Sequence, residues 1–267
     1  MEKNVVLFIV DPQIDFCSPN GALYVKGAEK DMDRLAKMIK RLKEKLSDIF
    51  VSLDSHHPVH ISHPIFWVDE NGKHPDPFTL IKKDDVVGKN PKWRAYNPGY
   101  QKLCENYVTK LEANGRYVLC LWVPHCLIGG QNHAVQPVLF DALCEWEAQF
   151  ATVNYVTKGS NITTEHYSII QADVIDDSDP STMINMRLIE ELQKADILAI
   201  AGEASSHCVC NTVTDIANNF GDDNIKKIVY LKDACSPVQG FEDNETKFLK
   251  DMTARGMKIS TTEEFLK

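Results

Sequence analysis

The feature that most constrains this chain is an uninterrupted apolar run that recurs, each time ending in a polar side chain at the start of a loop. Val5–Val10 is the first, and it ends at Asp11. Consecutive apolar residues without polar alternation predict a strand buried on both faces, as in a parallel sheet. Gly27–Leu46 then sets Leu35, Met38, Ile39, Leu42 and Leu46 at helical spacing, with lysines on the other face. Ile49–Leu53 repeats the apolar run before Asp54. Strand, helix and strand in this order predict a right-handed βαβ crossover.

The rhythm continues downstream. Strands are expected at Thr152–Thr157, Ile197–Ala201, Ile228–Leu231 and Met257–Ser260, and helices at Thr182–Gln193, Ser206–Asn219 and Asn244–Arg255. This alternation predicts an α/β fold of three layers, α/β/α, around a mostly parallel central sheet. In such folds ligands sit beyond the carboxyl ends of the strands. The whole of 1–267 is read as one domain, with an inserted excursion at about 61–116. That stretch carries prolines at 64, 75, 77, 91 and 98. It is expected to hold one helix near Tyr100–Leu111, followed by an extra strand at Tyr117–Trp122.

Charge and cysteine usage narrow the partners. Lysine and arginine total 29 against 38 acidic residues, a formal charge of −9, which disfavours nucleic acid or an anionic membrane as partner. No apolar stretch approaches the roughly 20 residues of a membrane span, and the N-terminus shows no signal-peptide pattern. The eight cysteines form no CxxC pair. They read as thiols of a reducing compartment, so a cytoplasmic protein with a small-molecule partner is expected. A homo-oligomer remains open.

Five segments end strand-like runs with side chains that can do chemistry. Asp11 opens Asp11-Pro12-Gln13-Ile14-Asp15-Phe16, where a carboxylate can equally cap a turn. Asp54-Ser55-His56 puts a carboxylate and an imidazole two apart in extended chain, on one side and able to share a metal. Trp122-Val123-Pro124-His125-Cys126 offers a further imidazole and an aromatic wall, and Lys158-Gly159 follows another strand. Gly202-Glu203-Ala204-Ser205-Ser206-His207-Cys208 enters a helix through small residues and places a thiol at its first turn. Backbone N–H groups there lower a thiol's pKa and can stabilise an oxyanion, the setting a nucleophile needs.

Taken together these segments resemble, in order and spacing, the isochorismatase-like cysteine hydrolases, most closely their nicotinamidase branch. Asp11, Gln13, Asp15 and Phe16 match its D-x-Q-x-D-F; Asp54 and His56 match its D-x-H; Trp122, His125 and Cys126 match its W-P-x-H-C. Val156, Lys158 and Gly159 match V-x-K-G, while Gly202, Cys208 and Val209 match the nucleophile turn. The resemblance implies a catalytic triad of Cys208 as nucleophile, Asp11 as general base and acid, and Lys158. It implies one divalent metal ion, zinc by preference, on Asp54, His56 and His125. It implies aromatic substrate walls at Phe16 and Trp122, and a non-proline cis peptide between Glu203 and Ala204 that turns the N–H groups of Ala204 and Cys208 into an oxyanion hole. The expected activity is release of ammonia from nicotinamide or a related small amide through a thioester, as part of NAD metabolism. Another amide or carbamoyl hydrolase of this fold is the alternative, and a non-catalytic binding protein the remote one.

The chain departs from the pattern at named places. Val123 stands where the proline is expected, with Pro124 one position late, and Ser55 stands where a tryptophan is common. Glu203 replaces a small or apolar residue and is expected to bring a carboxyl near the site. His57, His60 and His63 crowd the Asp54–His56 loop, so that His60 or His63 could replace His125 as a ligand. His133 and His207 read as pocket wall or surface, and Cys17, Cys126 and Cys210 are given no role.

Overall fold

The computed structural model describes residues 3–267. Six strands build one sheet: β1 (Val5–Val10), β2 (Asp48–Asp54), β3 (Asn154–Lys158), β4 (Ile197–Gly202), β5 (Ile228–Leu231) and β6 (Lys258–Ser260). Their spatial order is β6-β5-β4-β1-β2-β3, and every pairing is parallel. The most apolar run, β1, lies between β4 and β2 with all six residues buried. Covering both faces is what a strand without alternation requires.

Six helices of eight residues or more accompany the sheet: α1 (Ala28–Leu42), α2 (Gln101–Asn114), α3 (Pro137–Glu147), α4 (Met186–Gln193), α5 (Cys208–Phe220) and α6 (Glu242–Ala254). α1 packs against α3, while α4 and α6 flank α5, giving the three layers. α1 buries Met32, Leu35, Ile39 and Leu42. It stops at Leu42, short of the expected Leu46, and in the turn beyond it the N–H groups of Lys45 and Leu46 both return to the Leu42 carbonyl. α3 has no counterpart in the sequence reading. Pro137 occupies its first position, and the Gln136 side chain accepts from the N–H groups of Val138 and Leu139.

The excursion holds its own apolar cluster, built on Ile61, Trp67, Ile81, Tyr107, Leu111 and Leu121. The strand expected at Tyr117–Trp122 is reduced to Leu119–Cys120 and lies outside the central sheet, antiparallel to Leu80–Ile81. The excursion takes its hydrogen bonds: Leu121 N–H donates to Thr79 O and Trp122 N–H to Ser62 O.

The sheet register brings the reactive ends together. Asp54 pairs with Lys158 across β2 and β3, and Val10 with Gly202 across β1 and β4. At Gly202, with φ +117°, a Cβ would lie 2.0 Å from Val10 O. Only glycine lets the two backbones approach this closely. Among the described residues no helix is long and apolar enough to cross a membrane.

Candidate active site

Asp11, Lys158 and Cys208 meet beyond the carboxyl ends of β1, β3 and β4. Lys158 Nζ lies 2.9 Å from Asp11 Oδ2, an ionic contact without hydrogen-bond alignment, and donates to Asp54 Oδ1 at 2.9 Å. The same Nζ lies 3.6 Å from Cys208 Sγ. Asp11 Oδ1 accepts from Ser52 Oγ at 2.6 Å, and Ser52 Oγ accepts from Asp11 N–H at 3.0 Å. Ser52 is a residue the sequence reading missed. Its one clue is a hydroxyl inside the otherwise apolar β2 run, where a buried polar group needs a partner.

Burial, offset in part by Lys158, raises the Asp11 carboxyl above its ordinary range. Burial likewise pushes the Cys208 thiol well up, although Lys158 opposes it. Against its own burial, Lys158 is held well above the lysine range by Asp11 and Asp54. The resting site is thus a thiol beside a carboxylate and an ammonium, arranged so that one proton can pass from sulfur to Asp11.

Asp54 turns its other oxygen to two imidazoles, with Oδ2 at 3.0 Å from His56 Nε2 and 3.2 Å from His125 Nε2. His125 Nδ1 lies 2.8 Å from Val123 O. Burial opposes it, yet His56, Lys158 and the His125 contact hold Asp54 well below the carboxylate range. Asp54, His56 and His125 are buried, with their ligand atoms within 4.8 Å of one another. His56, His60 and His63 form a second such group, and His56 Nδ1, His60 Nε2 and His63 Nε2 are buried without partners. Burial and the neighbouring His56 keep His63 neutral, at about 3. Converging imidazoles, with Nδ1 of His63 and His125 against carbonyls and that of His60 against the Ser62 hydroxyl, suit a divalent transition metal.

The motif's polar residues brace this cluster. Gln13 Nε2 donates to Asp54 O at 2.7 Å and to His133 O at 2.9 Å, and its Oε1 accepts from Asp54 N–H at 2.7 Å. Asp15 accepts from Cys126 N–H at 2.6 Å, fixing the loop that carries His125. Ser55, at the position where a tryptophan is common, bonds His133 Nε2 at 2.8 Å.

One cavity joins these groups. Phe16, Trp122, Asp54, His125, Ala204 and Cys208 line it, together with Glu165, Tyr167 and His207, and about 30 Å³ stands free at its centre. Phe16 packs edge-on to His125 at 5.2 Å. Trp122 Nε1 donates to Tyr167 Oη at 2.9 Å, and its ring is held edge-on by His207 at 5.3 Å and Phe78 at 5.9 Å. A larger groove of about 690 Å³ lies on Asn4, Asp48 and Asn154, at the opposite ends of the strands, and touches none of the side chains above. The Glu203–Ala204 peptide is cis, as expected. Glu203 itself corrects the sequence reading: its carboxyl does not line this cavity but accepts from Ser236 N–H at 3.1 Å, and besides Asp54 the carboxyl at the pocket is Glu165. Glu165 Oε2 is buried with no partner. Cys17 and Cys126 are buried and, with Cys210, have thiols raised by burial.

No family model and no curated relative matches the sequence. The fold is that of solved amidohydrolases described as nicotinamidases and pyrazinamidases. The chain is similar over 96% of its length to 98% of the yeast nicotinamidase, at 18% identity and a TM-score of 0.66. It also matches the Acinetobacter baumanii nicotinamidase/pyrazinamidase, at 19% identity and TM-score 0.62, covering 98% of this chain and 97% of that one. The pyrazinamidase of Pyrococcus horikoshii, solved in complex with zinc, matches at 20% identity and TM-score 0.56, covering 97% and 99%.

Proposed function

We propose that this chain is a metal-containing cysteine amidohydrolase that releases ammonia from nicotinamide or a related small planar amide. The observation that carries the reading is the meeting of Asp11 and Lys158 with Cys208, which lines a cavity walled by Phe16 and Trp122. The similar structures support the substrate class: the yeast enzyme is also solved with the inhibitor nicotinaldehyde, and a Leishmania infantum protein with nicotinate.

Asp11 takes the Cys208 proton as sulfur attacks the amide carbon. Lys158 keeps the ion pair tolerable by placing a positive charge beside both. The N–H groups of Ala204 and Cys208 receive the oxyanion. Protonated Asp11 returns its proton to the departing nitrogen, ammonia leaves and a thioester remains on Cys208. Asp11 then deprotonates a water that attacks the thioester, and the thiol regains a proton as the acid departs. Asp54, His56 and His125 would hold a divalent ion, zinc in the first instance, with His60 and His63 beside them. When bound, that ion supplies a Lewis acid that can take a ring nitrogen and orient the substrate.

An ammonia-release screen over nicotinamide, pyrazinamide and aliphatic amides tests the reading, with Cys208→Ala as control. Turnover of aromatic carboxamides, abolished in a folded Cys208→Ala variant, is expected. Full activity in that variant removes the nucleophile assignment.

A further inference from the structure

We propose that Glu203 is a positioning residue for this reaction, latching the Ala204–Cys208 turn to Ser236 and, together with Asp31, to helix α1. Glu203 is fully buried directly before Ala204, and its Oε2 accepts from Ser236 N–H at 3.1 Å. The Ser236 carbonyl accepts from Ser205 N–H at 2.9 Å, and Ser206 Oγ accepts from Val238 N–H at 3.0 Å. The turn is therefore stitched to the loop after β5, with Glu203 as the one charged-type group in the seam. Ser236 Oγ donates to Asp31 Oδ2, Arg34 pairs with Asp31 Oδ1, and Arg34 Nε donates to Asp233 O. These contacts carry the seam to α1.

The donor count fixes the protonation. Both oxygens of Asp31 accept from other groups, and Glu203 Oε1 is buried with no donor, while Ser236 joins the two carboxyls by giving its N–H to Glu203 Oε2 and its hydroxyl to Asp31 Oδ2. A neutral Glu203 that donates to an ionised Asp31 satisfies all four oxygens. Burial, and then the Asp31 charge, push Glu203 well above its ordinary value of 4.5. The other groups facing it are Glu245, Cys17 and Cys235, with Tyr230 behind Cys235, while Arg34 pairs with Asp31. Ionising Glu203 would set two carboxylates together, and parting the Ser236 loop from the turn is the relief available. That motion shifts Ala204 from the cavity wall.

The latch rests on the amidohydrolase reading for its activity arm but not for the others. Glutamine keeps the shape, donates to Asp31, accepts from Ser236 and cannot ionise. With nicotinamide as substrate, kcat of wild type should decline at alkaline pH, and Glu203→Gln should stay within about threefold of wild type near neutral pH and lack that decline. Glu203→Ala should lower kcat at least tenfold with KM within threefold. Without any substrate, iodoacetamide labelling of Cys208, read by mass spectrometry, should follow the same order. Thermal unfolding tests the shared proton by itself. A raised folded-state pKa means that the folded form binds the extra proton, so wild-type stability relative to Glu203→Gln falls as pH rises from about 4.5 to the raised value and is flat above. Parallel Tm curves for the two proteins, or alanine behaving as wild type in kcat and labelling, overturn the latch. Absence of amide hydrolysis with sloping Tm curves and ordered labelling overturns only the activity reading.

Discussion

Replacing Lys158 with methionine should destabilise the fold even before activity is considered. The lysine side chain is 1% exposed and lies between the carboxyls of Asp11 and Asp54, which are 0% and 4% exposed. Methionine fills similar volume but leaves both carboxyls buried without their cation. Stranding one member of a buried ion pair costs about 3–5 kcal/mol. For a chain of this size each kcal/mol moves Tm by about 2–4 °C, so a fall of roughly 6–20 °C is expected. Urea unfolding of wild type, Lys158→Met, and Lys158→Met combined with Asp11→Asn provides the assay. The double variant removes one stranded charge and should recover part of the loss, although neither variant should turn over substrate. A single variant within about 1 kcal/mol of wild type, at unchanged m-value, would refute the claim that the lysine balances two buried carboxylates.

Two further outcomes follow from the same geometry. Protein purified without added metal should carry one divalent ion per chain by elemental analysis, and His125→Ala should empty the site; if His60→Ala or His63→Ala empties it while His125→Ala does not, the ligand choice is wrong. Trp122→Ala removes one aromatic wall and should weaken binding of aromatic carboxamides about tenfold, and aliphatic amides favoured over aromatic ones with no change in that variant would leave a hydrolase but not a nicotinamidase.

The strand-ending residues were legible in the sequence because apolar runs without alternation fix both the parallel sheet and the end at which chemistry collects. Asp11, Asp54 and Lys158 stand at such ends, and Cys208 opens the helix entered from the end of β4, so predicting the sheet was enough to bring them together. Ser52 and Glu165 were not legible, since each matters through a partner 41 residues away or through a loop whose path no periodicity records. Glu203 was misread for a related reason. Its place in the sequence beside Ala204 suggested the pocket, but its side chain turns to Ser236 and Asp31. The strand expected at Tyr117–Trp122 failed because β-propensity says nothing of which partner will take the hydrogen bonds. Here the excursion, not the sheet edge, supplied them.

The hydrogen that serves Gly202 as a side chain has a consequence for the pocket around it. Val10 and Gly202 touch backbone to backbone, and from these two positions the chain runs directly into Asp11 on one side and the Cys208 turn on the other. The separation of acid and thiol is therefore gauged by main-chain atoms, which are the same whatever residues surround them. Phe16, Trp122, Tyr167 and Glu165 can be exchanged without altering that gauge, because none stands between the two strands. Choice of substrate at these four walls and spacing of the reacting groups are thus separate variables in this molecule, and a single added methyl at 202 would disturb the second while leaving Phe16, Trp122, Tyr167 and Glu165 in place.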